Sequence, residues 1–228
     1  LVGVGGSGRS SCARLCCCMS ETAEFEIALT KGYGLEAFRE DEKKFLISAG
    51  SGDSKPTMFL ISDTQIINET FLEDINNILN AGEVPNLFPN DEMDRIIGDT
   101  RAKAKEAGRS EAKDAVWQFF IETVRDKLHI ILTMSPVGSA LRVRMRMFPA
   151  LVNCCTIDWF LPWPDEALLA VSARQLEGMQ GVGDDIKEAV SKACCSIHQQ
   201  VLVTAGVFEA RLRRKVYVTP KSYLDLIG

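Results

Sequence analysis

Gly3-Val4-Gly5-Gly6-Ser7-Gly8-Arg9-Ser10 is the stretch that decides the reading of this chain. Its spacing is that of a phosphate-binding Walker A loop, with arginine where lysine is usual. Such a loop uses glycine so that successive backbone N–H groups can turn inward around phosphate oxygens. The helix that follows adds its positive N-terminal end. Gly5, Gly6 and Gly8 would supply the backbone freedom, and Gly3 to Ser11 (Gly3, Val4, Gly5, Gly6, Ser7, Gly8, Arg9, Ser10 and Ser11) are the candidate nucleotide-binding residues. Ser10 would place its hydroxyl on Mg²⁺, and Arg9 would bring positive charge to the β- and γ-phosphates. Arginine's planar fork is bulkier than an ammonium, so binding can survive where the compact transition state is poorly served. The competing reading of the glycines alone is a turn that binds nothing.

Outward from the loop, the pattern predicts alternating strands and helices. Residues 1–4 read as a strand end, 10–19 as a helix apolar nearly all round, 24–29 as a short strand and 35–49 as an amphipathic helix. Residues 57–61 form a compact apolar run, as expected of a parallel strand buried on both faces, and a helix over 69–79 follows. Gly, Pro and Asn mark a loop over 82–89. Helical charge patterns cover 91–107 and 111–127, a buried-type strand 128–134, a basic helix 139–147, and a fifth strand 154–160. This order predicts an α/β fold with a mainly parallel five-stranded sheet flanked by helices. Pro162 and Pro164 then punctuate the chain, and only helical patterning follows, which sets an expected boundary between residues 1–161 and 162–228. Thr219-Pro220 is a helix start, because the hydroxyl caps free amides and proline lacks only an N–H that the first turn does not use.

Met58-Phe59-Leu60-Ile61-Ser62-Asp63 reads as a Walker B strand whose terminal aspartate helps to place Mg²⁺. A glutamate is usual next; here Thr64 stands there, with no carboxylate to orient or deprotonate water, so the general-base position is empty. Glu69 lies too far along to substitute. An aspartate capping the next helix is the plainer alternative for Asp63. Thr133 or Ser135, at the end of the 128–134 strand, could sense the γ-phosphate. Arg142, Arg144 and Arg146 precede Phe148-Pro149, where a ring ATPase can present an arginine finger; Arg144 and Arg146 are the candidates.

The bulk properties narrow the classes. The chain has 228 residues, 46% hydrophobic and 25% charged, enough for a sizeable core. A net charge of -5 with dispersed basic residues argues against nucleic-acid binding. No apolar run reaches the roughly 18 residues that a membrane span needs. The eight cysteines are clustered, as in Cys16-Cys17-Cys18, form no CxxC pair, and read as reduced thiols; a cytosolic or cytoskeletal location is expected. Leu1 and Val2 are already strand material, so the chain reads as cut from something longer.

Taken together, VGVGGSGR, FLISDTQI, FLEDINNILNAGEVPNLF, MSPVGSALRVRMRMFPALVNCCTIDWFLPWP and YVTPKSYLDLI resemble the dynein heavy chain, and more narrowly the fourth AAA+ module of axonemal dyneins. The resemblance runs along essentially the whole chain. It implies a P-loop AAA+ module, a large α/β subdomain over 1–161 and a small helical lid over 162–228 leading toward a stalk. It also implies ATP or ADP with Mg²⁺ as ligands, and a place in a six-module ring that drives minus-end-directed movement on microtubules in the cytoplasm, cytoskeleton and ciliary axoneme. The implied partners are the neighbouring modules of the same heavy chain and, through the full-length protein, intermediate and light chains and microtubules; nucleic acid and membrane are not among them. Arg9 and Thr64 depart from the catalytic pattern, so the expected role is nucleotide binding with weak or no hydrolysis. The alternatives are a hydrolysing regulatory module and a nucleotide-independent ring scaffold. Cys16 to Cys18 and the tract over residues 50–55 are unusual for the family and have no role in this reading.

Overall fold

A computed structural model describes residues 1–228 and divides them into two compact units, one of Leu1 with Ser10–Asp158 and one of Val2–Arg9 with Trp159–Gly228. None of its helices is long and apolar enough to cross a membrane.

The first unit is built on a parallel sheet of order β1-β2-β3, from β1 (Ala23–Glu26), β2 (Thr57–Ser62) and β3 (Leu128–Thr133). Thr57 to Ile61 are all buried. The cause is a helix layer on each face, which is what makes a parallel strand read as a continuous apolar run. On one face α1 (Arg9–Met19) brings Ala13 and Cys17 against Met58 and Leu60. On the other, α2 (Leu35–Gly50) stacks Phe45 on Phe59, with ring centroids 4.4 Å apart, and α3 (Thr70–Ala81) stacks Phe71 on Phe38 at 4.1 Å. Phe38, Phe45, Phe59 and Phe71 are all completely buried, so truncating any of them to alanine costs about 3–5 kcal/mol. Next, α4 (Asn90–Glu106) packs on α5 (Lys113–Lys127) through Ile97, Ala104 and Val116. Helices α6 (Ala140–Met147) and α7 (Ala150–Asn153) complete the unit.

One acid is folded into this core. Glu42 of α2 is fully buried and neither carboxylate oxygen has a hydrogen-bond partner. Burial pushes its carboxyl up to about 9, Asp74 adds to the shift, and Arg39 opposes it. Arg39 instead pairs with the nearly buried Asp74 at 3.1 Å. Glu42 is therefore neutral at pH 7, which avoids the cost of an unpaired buried charge.

Three of the five expected strands form. The strand expected over 24–29 runs from Ala23 to Glu26 and stops because the Ile27 carbonyl is taken by the Gln65 side-chain amide at 2.9 Å. The stretch expected over 1–4 contributes two residues of pairing. Leu1 donates to the Leu132 carbonyl and accepts from Met134 N–H, and Val2 forms an isolated parallel bridge with Trp159. Beyond them Gly3 begins the glycine loop. The stretch expected over 154–160 is shortened from its start, because Cys154 closes α7 by donating to the Ala150 carbonyl.

The second unit contains α8 (Asp165–Leu176), α9 (Asp184–Leu212) and α10 (Pro220–Ile227). Leu168, Cys195 and Tyr223 form its core, and the buried Tyr223 hydroxyl donates to the Leu168 carbonyl at 2.9 Å. Thr219 starts α10 with a capping box shared with Ser222, and Pro220 follows in the first turn, as the sequence predicts. Helix α9 buries Ser191, Cys195 and His198 and nothing beyond them. Val201, Val203, Val207 and Leu212 are exposed.

Candidate nucleotide-binding site

The glycine loop folds as part of the second unit. Gly6 and Gly8 both have positive φ, at 75° and 92°, a conformation that side chains with a Cβ rarely adopt. At Gly6 the constraint is double. A Cβ there would sit 2.8 Å from Lys221 Cβ and 3.1 Å from Thr219 Oγ1, while the Gly6 carbonyl accepts from Lys221 N–H at 3.2 Å. A Cβ at Gly3 would lie 2.8 Å from Phe160 Cβ. Ser7 N–H donates to the Val4 carbonyl at 3.3 Å, which tightens the turn. Gly5 is exposed, and a Cβ there would meet nothing within 4 Å.

Two polar atoms of this loop are buried and unpaired, Ser7 Oγ and Arg9 Nη1. Arg9 makes no ion pair, although arginine usually finds a carboxylate when its head is covered. An orphaned hydroxyl and an orphaned guanidinium nitrogen, in a loop whose glycines turn its amides, match the chemistry of a phosphate group. The residues present therefore fit a nucleotide. Ser10 and Ser11 follow in the first turn of α1, and neither hydroxyl is hydrogen bonded.

The end of β2, in the first unit, is arranged differently. Asp63 N–H donates to the Thr133 carbonyl at 2.9 Å, and Asp63 Oδ2 accepts from Ser135 N–H at 2.8 Å. Asp63 thus caps the turn after β3, 72 residues away, rather than the helix after its own strand. Thr64 is exposed and its hydroxyl pairs with Ser62 Oγ at 2.8 Å. Gln65 clamps the turn by accepting from Ser62 N–H at 2.8 Å. No three His, Cys, Asp or Glu side chains gather into a metal-binding group, so a cation here would need oxygen ligands from the nucleotide or from water as well as from the protein.

The model of the family described as P-loop containing dynein motor region D4 matches residues 1–228. The chain belongs to that dynein family. It is 50% identical over its whole length to human dynein axonemal heavy chain 6 and to the Chlamydomonas reinhardtii dynein-1-beta heavy chain of the flagellar inner arm I1 complex. Rat dynein axonemal heavy chain 1 is 47% identical. The D4 chain spans 6% of the first of these relatives and 5% of the other two.

Within this dynein D4 region the candidate arginines are distributed unequally. Arg144 is largely buried and grips Glu69 with both Nε, at 3.1 Å from Oε1, and Nη2, at 2.9 Å. Arg142 and Arg146 are exposed and make no ion pair. Thr133 is buried and Ser135 is partly exposed, its hydroxyl accepting from Val137 N–H at 3.3 Å. The Gln65 clamp and the Glu69–Arg144 pair were invisible to sequence reasoning. The first depends on a side chain folding back on its own turn, and the second joins residues 75 apart.

Proposed function

We propose that this dynein D4 module holds ATP or ADP as a structural or regulatory ligand and hydrolyses it weakly or not at all. The observation that supports the reading most is the buried, unpaired Arg9 guanidinium nitrogen beside a loop of positive-φ glycines. In this reading Gly3 to Ser11 cradle the phosphates, Arg9 supplies their counter-charge, and Ser10 and Asp63 hold Mg²⁺. Thr64 leaves the attacking water without a general base. Residues 1–161 act as the large nucleotide-binding subdomain and 162–228 as a helical lid. A finger role falls to Arg146 rather than Arg144, whose charge Glu69 already occupies.

By its relatives' names the module works inside an axonemal or flagellar dynein heavy chain, and so in a cilium-moving motor on microtubules. Neighbouring modules of the same chain are its nearest partners. The exposed Val201, Val203, Val207 and Leu212 on the second half of α9 offer apolar surface for such contact.

The test is a titration with a fluorescent ATP analogue and Mg²⁺, run beside Arg9→Ala, with phosphate release followed in parallel and folding checked by circular dichroism. The expected result is saturable binding, at least tenfold weaker in Arg9→Ala, with no measurable turnover. Turnover at a rate above about 1 s⁻¹, within the ordinary range of enzyme turnover, would replace the holding role with a catalytic one. Absence of binding by folded protein would leave only a scaffold.

A further inference from the structure

A second cleft lies in the first unit, between α4, α5 and the turn after α2, with a volume of about 340 Å³. That size falls at the lower end of the roughly 300–1,000 Å³ of small-molecule sites. Its wall on α5 is Phe119, Glu122, Thr123, Asp126 and Lys127, spaced so that all five share one helix face. Helix α4 adds Thr100 and Lys103, also one turn apart, the end of α2 adds Gly50, and the turn after it adds Ser54. Gly50 permits the arrangement: a Cβ there would stand 2.5 Å from both Phe120 and Val124, so only glycine lets the end of α2 approach α5 this closely.

The charges of the cleft are incompletely used. Lys127 Nζ donates to the Ser54 carbonyl at 2.9 Å and to Ser54 Oγ at 2.6 Å, both neutral, which leaves one N–H and the full charge uncompensated. Lys103 pairs at 3.3 Å with Asp53, whose side chain is fully exposed and easily displaced. Glu122 is already neutralised by Arg109 at 2.7 Å, while Asp126 sits exposed at the edge. Among these walls Thr100 is 1% exposed, and its hydroxyl has no partner at all. An unsatisfied buried hydroxyl is destabilising unless something completes it.

We propose that this cleft binds a small organic carboxylate, its anionic group between Lys103 and Lys127, its apolar body on Phe119, and a polar atom on Thr100 Oγ1. The turn that closes it belongs to the tract over residues 50–55, for which phosphate binding gives no role. This site uses none of the residues assigned to the nucleotide.

The test is a titration of the isotopically labelled chain with benzoate, read by amide chemical shifts, beside benzyl alcohol as the uncharged match and inorganic phosphate as the anion without an apolar body. Saturable shifts at residues 54, 100, 103, 119 and 123 are expected, with either control at least tenfold weaker. Thr100→Val and Lys103→Gln should each weaken benzoate at least fivefold. Removing an orphaned hydroxyl should not unfold the protein, so a Thr100→Val chain that stays folded and binds benzoate unchanged overturns the proposal. No saturation, or equal binding of either control, overturns it too.

Discussion

The glycine loop and the end of β2 carry the two halves of the expected nucleotide chemistry, and they treat their polar groups in opposite ways. In the loop, Ser7 Oγ and Arg9 Nη1 are buried without partners, and the backbone at Gly6 and Gly8 is held at positive φ. At the strand end, one oxygen of Asp63, Oδ2, accepts from Ser135 N–H, Thr64 pairs with Ser62, and Gln65 pairs with Ser62 and Ile27. A loop with unmet polar groups gains when an anion arrives. Thr64 and Gln65, already paired with their own turn, have less to offer water. The contrast is in keeping with the proposed role of holding nucleotide with little turnover.

The largest expected effect breaks the loop side of this contrast. Gly6→Val must place a branched side chain at positive φ and within 3 Å of Lys221, so nucleotide affinity should fall more than a hundredfold in the same fluorescence titration. Unchanged affinity would mean that the loop conformation is not what binds. The strand side is sharpened by Thr64→Glu, which puts a carboxylate where general-base catalysis is typically worth about 10²–10⁴-fold. Phosphate release should rise at least tenfold over the parent; a flat rate would show that Thr64 is not the missing element. Smaller is Ser7→Ala, which removes the orphaned hydroxyl. Affinity should drop no more than about fivefold and thermal stability should hold or rise slightly, because a buried unsatisfied group has been deleted.

The sequence carried the local features well and the distant ones poorly. Strands β2 and β3 and helices α2 to α6 lie within about two residues of where period and charge put them, because each buries a face that its own pattern defines. The Thr219-Pro220 start was legible for the same reason: a cap is a contact within four residues. The fifth strand failed because Cys154 could serve a strand or close a short helix, and its apolar pattern fits both. Positive φ at Gly6 follows from loop chemistry, whereas its close approach to Thr219, over two hundred residues later, does not. Likewise Asp63 is readable as an acid at a strand end, but its acceptance of the Ser135 amide depends on how β2 and β3 register.

Glu42 has a consequence for how the protein must be measured. Its buried carboxyl keeps a proton up to about pH 9, while the unfolded chain releases it near the ordinary carboxylate value of about 4.3. Between those limits the folded state binds the extra proton, so stability should decline as pH rises from about 5 toward 9, and Glu42→Gln should flatten that slope in denaturant titrations. The chain must also draw this proton from its surroundings each time it folds at neutral pH. Unfolding heats recorded in phosphate and in Tris should then differ by the difference between the two buffers' ionisation enthalpies, and in Glu42→Gln they should converge.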